Sequence, residues 1–269
     1  MRLSVREIGV VLLVSVAFVT PAAAQFRMGV SLEHSAYMRG EPFAARVVIE
    51  NHLSVPLVFG DEYSNAELIV EVVRDRSTGP ADTNRRPVRR DTVIMPGEKA
   101  IELVEITSLF ELRETGGYQV RAVIRYEGEL ILSHAIGFDI VNGIEMASVR
   151  RTFPGYSDID LDYSLRYFKR GKSEFAFVVI RDVATDAIFG TFQLGPAVRV
   201  NDPAMQVDRE GRLIVVHQSG RARFTRSVLE VYRDGAKLTA QTHHLANGAA
   251  FPEGPSMQYA RPKSSGDEK

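Results

Sequence analysis

The sequence predicts an all-β protein. Apolar and polar residues alternate with a period of two in many segments, including residues 46–50 and 118–126, as strands with one buried face do. Stripes of apolar residues with helical spacing are scarce, and glycine-containing turns recur at the spacing of short antiparallel strands. We therefore expect an antiparallel β fold with little helix, divided into two domains near residues 141–148.

The amino terminus has the features of a secretory signal peptide. Arg2 and Arg6 precede an uncharged apolar run over residues 8–19, and Ala22 and Ala24 are the small side chains that signal peptidase requires. This run of about twelve residues is too short to cross a bilayer core of about 30 Å as a helix. We therefore expect residues 1–24 to be removed on export through the general secretory route, and the mature chain to be periplasmic or extracellular with no integral membrane segment.

The first predicted domain, residues 25–141, has the number of strands that suits a β-sandwich. The strands are expected at residues 28–34, 43–51, 55–59, 67–74, 91–95, 99–106, 117–127 and 129–140. Residues 107–115 are expected to form one helical turn at a corner of the sandwich. Gly116 and Gly117 then restart the sheet.

Residues 26–141 resemble bacterial immunoglobulin-like domains. The resemblance rests on Leu112, Gly117, Tyr118 and Val120 within Leu-Arg-Glu-Thr-Gly-Gly-Tyr-Gln-Val. In that superfold, a tyrosine near the start of strand F hydrogen-bonds back to the backbone at the sandwich corner, and Tyr118 occupies the matching place. Valine stands where antibody-type domains carry a cysteine, and the chain has no tryptophan. The resemblance therefore implies a sandwich scaffold without assigning a function.

The second predicted domain, residues 147–250, is expected to be a smaller antiparallel β domain. Its strands are expected at residues 149–153, 158–168, 173–182, 186–194, 212–218, 223–233 and 236–243. Asp234 and Gly235 give the strongest hairpin signal, because both central residues of a type I′ turn need positive φ. A second sandwich and an open meander both fit this pattern. Residues 251–269 are polar and contain proline, glycine and serine, so we expect a disordered tail.

Composition and missing motifs exclude several classes of function. The formal net charge is −1 at pH 7, so no overall field recruits nucleic acid. The chain contains no cysteine, which excludes disulfides, thiol catalysis and a lipid-modified cysteine. Neither a dinucleotide fingerprint nor a phosphate-binding loop occurs, and the six histidines show no zinc-site spacing. We expect no cofactor.

Three aspartates form the sharpest local cluster of carboxylates. Asp158, Asp160 and Asp162 are spaced two residues apart and can converge on a hard cation such as calcium. Tyr163 and Lys169 stand where an EF-hand loop needs glycine and glutamate, so the cluster does not match that motif. The alternative is a strand in which the intervening residues face the core and the aspartates face water.

The segment 75–91 is predicted to be a long loop rich in arginine. Arg85, Arg86, Arg89 and Arg90 concentrate positive charge there, and seventeen residues without regular structure indicate either function or disorder. Guanidinium groups bind carboxylates and phosphates through paired hydrogen bonds. The loop is therefore a candidate surface for an acidic partner, an anionic cell-surface polymer or lipid headgroups. Alternatively, its arginines simply keep a solvated loop soluble.

These observations favour an exported, non-enzymatic protein that binds a protein or cell-envelope partner, or has a structural role. The alternative is a secreted hydrolase whose carboxylates meet only in the fold, because two carboxylates are sufficient for glycoside hydrolysis. The aspartates of residues 158–162 and Glu174 are the candidates for such a site. The sequence does not assign an oligomeric state.

Overall fold

A computed structural model describes residues 26–60, 63–75, 82–88, 91–152 and 159–248. It confirms the all-β fold, with several antiparallel sheets and one helical turn in this part of the chain. The predicted signal peptide and the predicted disordered tail lie outside the described residues. Among these residues, no helix is long and apolar enough to span a membrane.

The first half of the described chain contains eleven strands and the short helix α1. The strands are β1 (Phe26–Leu32), β2 (Ala36–Met38), β3 (Ala44–Asn51), β4 (Leu57–Phe59), β5 (Ala66–Arg74), β6 (Asp82–Pro87), β7 (Thr92–Ile94), β8 (Lys99–Glu105), β9 (Gly116–Tyr126), β10 (Glu129–Leu132) and β11 (Ile136–Val141). The helix α1 (Ile106–Leu109) begins one residue before the segment 107–115, in which one helical turn was expected.

Two sheets pack face to face in this half. One sheet has the strand order β1-β3-β8, and the other has β2-β11-β9-β5-β4-β7 with β6 and β10 added at its sides. The alternation seen in the sequence places residues such as Val47, Val70 and Val120 between the sheets, where they are almost fully buried. Removing this apolar surface from water stabilises the sandwich by roughly 25 cal/mol per Å².

The second half contains eight strands arranged as two four-stranded meanders. The strands are β12 (Ile144–Thr152), β13 (Asp160–Arg170), β14 (Ser173–Asp182), β15 (Ile188–Pro196), β16 (Ala204–Val207), β17 (Leu213–Gly220), β18 (Arg223–Tyr232) and β19 (Gly235–Leu245). Each meander keeps the strands in chain order, and all of its neighbours are antiparallel. Buried residues of both meanders, including Leu165, Val178 and Leu229, form one core.

Three sequence expectations about strands were wrong in detail. The segment 75–91 is not a structureless loop throughout, because β6 pairs with β5 from Asp82 to Pro87. The single strand expected over residues 129–140 is divided into β10 and β11, where the Ser133 hydroxyl accepts a hydrogen bond from the Ala122 backbone. The strands β2 and β16 were not expected at all.

Candidate functional site

The two halves meet at the turn formed by residues 39–42, which packs against β15. Gly40 has φ +76°, and a Cβ atom there would lie 2.6 Å from Ile188 Cγ2 and 2.9 Å from Thr191 Oγ1. The Thr191 hydroxyl donates a 2.7 Å hydrogen bond to the Arg39 carbonyl oxygen. Glycine is thus needed both for the left-handed backbone and for the close approach of β15.

A chain of alternating charges crosses this junction. Arg39 donates to the Asp186 carboxylate and, at 3.2 Å, to the Asp186 carbonyl oxygen. Arg181 donates to Asp186 Oδ1 at 2.9 Å and to Asp162 Oδ2 at 3.0 and 2.9 Å. The hydrogen bonds from Arg181, and then from Arg39, lower the pKa of Asp186, and the bond to Asp186 raises the pKa of Arg181. Both groups therefore stay charged across the ordinary pH range.

A second ion pair across the junction is largely hidden from solvent. Arg170, the last residue of β13, binds Glu41. The side chains of Arg170 and Glu41 are only 11 and 12% exposed. The Arg170 guanidinium also lies 5.8, 5.5 and 5.2 Å from the ring centres of Tyr37, Phe168 and Phe177. Attraction between a cation and aromatic faces adds to the ion pair in such a partly desolvated place. The pair therefore fixes Glu41 against the second half.

Apolar contact between the halves accompanies these polar bonds. Met38 from the first half and Phe177 from the second are fully buried in one cluster, and Val179 is nearly buried beside them. Fully burying a side chain of this kind stabilises by about 1.5–3 kcal/mol relative to exposure. The junction thus has its own small core, and its charged groups orient the two halves around that core.

A cleft of about 510 Å³ opens beside the junction. The first half contributes the turn at residues 39–42 and the segment around α1, and the second half contributes residues 186–192 and Ala236. Its apolar lining consists of Phe110, Leu112, Ile140, Ile188, Phe189 and Phe192. This volume and this mainly apolar wall are typical of sites that bind small molecules or side chains.

The charged groups of the cleft are held in ion pairs. Three carboxylates line it, those of Glu41, Glu111 and Asp186. Arg113 binds Glu111 at 3.0 Å, and the other two carboxylates are held by the junction arginines described above. The cleft can therefore take an apolar or mixed group against its wall and orient it with a charged rim. In the sequence, residues 39–42 are one of the recurring glycine-containing turns, and nothing in them indicates the cleft.

The candidate metal cluster is not assembled by the described residues. Asp158 lies outside them, so the three-aspartate site stays a prediction. Asp160 accepts a 2.8 Å hydrogen bond from the Thr152 hydroxyl. Asp162 does not face water, because its side chain is only 7% exposed and is held by Arg181. No group of three or more metal-binding side chains occurs in the described part of the chain.

The additional carboxylate expected for a hydrolase lies elsewhere. Glu174 lies on β14 opposite Lys169 of β13. Lys169 is seven residues from Asp162 along that strand. At a strand rise of about 3.3 Å per residue, this places the two carboxylates roughly 20 Å apart along the hairpin. The Nε of Arg199 donates a 2.7 Å hydrogen bond to the Glu174 carboxylate, so this carboxylate is held in an ion pair. The fold therefore does not bring Glu174 to Asp162.

Of the four candidate partner-binding arginines, the structure describes Arg85 and Arg86, which lie on β6. Arg85 is on β6, where it and Arg121 of β9 both bind the fully buried carboxylate of Glu71. Arg86 is exposed on the same strand. Arg89 and Arg90 lie outside the described residues. Because Arg85 serves an internal ion pair, it is less available to a partner than the sequence suggested.

Tyr118 makes the hydrogen bond expected at a sandwich corner. Its hydroxyl donates to the Glu114 carbonyl oxygen at 2.8 Å, four residues upstream. Its ring stacks on that of Phe138, with ring centres 5.6 Å apart. The side chain is nearly buried between β9 and the corner. The hydrogen bond agrees with the sequence interpretation, and the immunoglobulin-like assignment itself stays a prediction.

Comparisons with known proteins do not assign a family. No family model and no curated protein matches the chain. Among solved structures, the sporulation control protein Spo0M of Bacillus subtilis gives a TM-score of 0.30 at 11% identity, over 83% of this chain and 91% of that protein. A TM-score this low does not establish a shared fold.

Two other solved structures match over smaller parts. The alkylpurine DNA glycosylase AlkC of Pseudomonas fluorescens, bound to DNA with an abasic site analogue, gives a TM-score of 0.32 at 13% identity, over 44% of this chain. A mutant β-glucosidase of Listeria innocua in complex with laminaribiose gives 0.30 at 13% identity, over 43%. The matches cover only 30% and 16% of those two proteins.

Proposed function

We propose that the protein is an exported, non-enzymatic binding protein that holds a segment of a protein or of a cell-envelope polymer in the cleft between its halves. The cleft is the observation that carries this proposal, because both halves supply its walls and the junction fixes their relative position. A preformed apolar wall with a charged rim binds without first having to order itself. The leader predicted at residues 1–24 supports export.

The proposal includes an immunoglobulin-like architecture for the first half. Three observations support it: a three-stranded sheet packs on a larger sheet, β2 pairs in parallel with β11, and Tyr118 bonds back to Glu114. Sandwiches of this kind present their loops and sheet edges to partners. In this chain the corner segment after α1 forms one wall of the cleft, so the scaffold leads directly to the site.

The hydrolase alternative gains no support from the cleft. A general acid must hold a proton near neutral pH, whereas the arginines around Asp186 lower the pKa of its carboxyl. Glu41 is held by Arg170 in a largely buried ion pair, and Glu111 forms an exposed pair with Arg113. These ion pairs orient the cleft rim and match a binding role.

Two substitutions in one exposed turn test the proposal. Ala187 lines the cleft, whereas Ala184, three residues earlier, is also exposed and does not line it. Ala187→Arg places a long charged side chain in the cleft, and Ala184→Arg is its matched control. The mature chain from Gln25 onward is immobilised, and the exported fraction of the source cells, including sedimented envelope polymer, is passed over it.

We expect one partner to be retained by the unmodified chain and by Ala184→Arg and to be lost with Ala187→Arg. Mass spectrometry and sugar analysis identify the retained material, and thermal melting shows that each variant is folded. Retention that is equal for all three proteins would place binding outside the cleft and overturn the proposal. If none of the three proteins retains a specific partner, the proposal is also overturned.

A further inference from the structure

We propose that a second, smaller pocket at the junction binds a small oxyanion, either free or carried by a larger molecule. This arginine pocket is about 80 Å³ and is lined by Arg39, Arg166 and Arg181 together with Ser164 and Asn142. Met38, Val179 and Ile188 form its apolar sides. The inference concerns a different cavity from the cleft and does not depend on what the cleft binds.

Arg39 and Arg181 are held in place by carboxylates that do not line the pocket. Asp186 binds both Arg39 and Arg181, and Asp162 binds Arg181 from the other side. Neither carboxylate is among the described residues of the pocket wall. The guanidinium groups are therefore oriented in advance, while the charged groups that face the space are positive. Preorganised donors of this kind recognise anions better than mobile side chains do.

Arg166 is fixed by two residues of the pocket wall and by one carboxylate outside it. Its Nε donates to the Ser164 hydroxyl at 2.9 Å, one terminal nitrogen donates to the Asn142 carbonyl oxygen at 3.1 Å, and the other donates to Glu145 at 2.6 Å. The side chain is 18% exposed, so it is largely desolvated. Glu145, like the two aspartates, is not among the described residues that line the pocket.

Hydrogen-bond donors remain available after these contacts. A guanidinium has five N–H donors, and the bonds to described residues use only part of this set on each arginine. The Nε of Arg39 is buried and has no hydrogen-bond acceptor among the described residues. A buried donor without an acceptor costs free energy, and an oxyanion in the pocket would supply acceptor atoms of opposite charge.

The size of the pocket limits the class of ligand. The space of about 80 Å³ has room for a few water molecules. This is the scale of a carboxylate, phosphate or sulfate group and is too small for a nucleoside or a sugar ring. Arg39 belongs to the first half and the other two arginines to the second, so the bound anion would also tie the halves together.

Isothermal titration calorimetry with inorganic phosphate, sulfate and acetate tests the inference, with chloride used to keep the ionic strength constant. Phenyl phosphate is a further probe, because it distinguishes a free ion from a group presented by a larger molecule. We expect saturable binding of at least one oxyanion with a stoichiometry of one. Weaker binding of phenyl phosphate than of phosphate would assign the site to the free ion, and equal binding would assign it to a carried group.

Arg166→Gln removes one wall of the pocket, and Arg125→Gln is the matched control. Arg125 also forms an ion pair, with Glu67, but on the outer face of the first sandwich. We expect Arg166→Gln to weaken binding by about tenfold or more, because a charge-assisted hydrogen bond is lost, and Arg125→Gln to leave it unchanged. Asn142→Tyr, which obstructs the pocket while keeping all three arginines, is the second variant in case Arg166→Gln does not fold.

The results have direct consequences for the inference. Loss of affinity in Arg166→Gln or Asn142→Tyr, with affinity retained in Arg125→Gln, supports the arginine pocket as the site. If no probe binds saturably at concentrations up to about 10 mM, any affinity is weaker than the millimolar range, and the inference is overturned. Equal loss in Arg125→Gln shows a nonspecific charge effect and also overturns it, as does affinity that neither pocket variant changes.

Discussion

We predict that His217 makes the protein lose stability as the pH falls from about 6.5 to about 4. This histidine is fully buried on β17. Its Nε2 lies 3.1 Å from the Pro196 carbonyl oxygen, so this nitrogen carries the proton and donates it. Its Nδ1 is buried and has no hydrogen-bond partner among the described residues. The site therefore accommodates the neutral ring and has no acceptor, among the described residues, for a proton on Nδ1.

The magnitude follows from the displaced pKa. Burial lowers the pKa of His217 from 6.5 to about 4, although the Pro196 carbonyl opposes this and nearby His243 adds to it. Between these two values the unfolded chain binds a proton that the folded protein does not bind, so stability decreases with decreasing pH. At about 1.4 kcal/mol per pKa unit, the loss amounts to about 3 kcal/mol. Below about pH 4 both states are protonated and this loss stops increasing.

The prediction is checked by urea unfolding at several pH values from neutral to acidic. The unmodified protein is compared with His217→Gln, which keeps a donor for the Pro196 carbonyl, and the difference between them removes the contribution of all other groups. We expect that difference to change by about 3 kcal/mol across the window. His134→Gln, at an exposed histidine, is the control for the substitution itself. A difference that stays constant across the window would refute the reasoning.

Two further comparisons use urea unfolding at neutral pH. Gly40 and Gly97 both have positive φ, but only Gly40 has neighbours within 4 Å of an added Cβ. We expect Gly97→Ala to cost about 1 kcal/mol and Gly40→Ala to cost at least about 1 kcal/mol more, and equal costs would contradict the close approach. Glu71→Gln should cost roughly 2 kcal/mol because two arginines lose their partner, whereas Glu67→Gln, at an exposed pair, should cost less than about 1 kcal/mol. Similar costs would show that the buried carboxylate has no special role.

The sequence was sufficient for strands with a clear apolar pattern. The prediction for residues 173–182 coincides with β14, because residues 175–180 form a continuous apolar run, and the structure buries residues 176–180 on both faces of the sheet. The strand β6 lacks that signal. It reads Asp-Thr-Asn-Arg-Arg-Pro, and its residues 84–87 are exposed, so only backbone pairing with β5 makes it a strand.

The candidate site was not predictable because its contacts join distant parts of the chain. Arg39 and Asp186 are 147 residues apart, and Glu41 and Arg170 are 129 residues apart. The sequence around Gly40 indicates a turn, since glycine and proline flank a glutamate there. Nothing local shows that β15 packs on that turn. The aspartate cluster, by contrast, was conspicuous in the sequence, yet Asp162 is used to hold an arginine.

The charged groups of the junction contribute to specificity more than to stability. Desolvating an ion pair such as Arg170 and Glu41 costs free energy that its attraction only partly offsets, whereas burial of Met38 and Phe177 is favourable without such a cost. Apolar packing alone would tolerate several orientations of the two halves. The ion pairs, together with the hydrogen bond from Thr191, have directional geometry and select one orientation. Because both cavities lie at this junction and share Arg39, their shapes depend on that selected orientation.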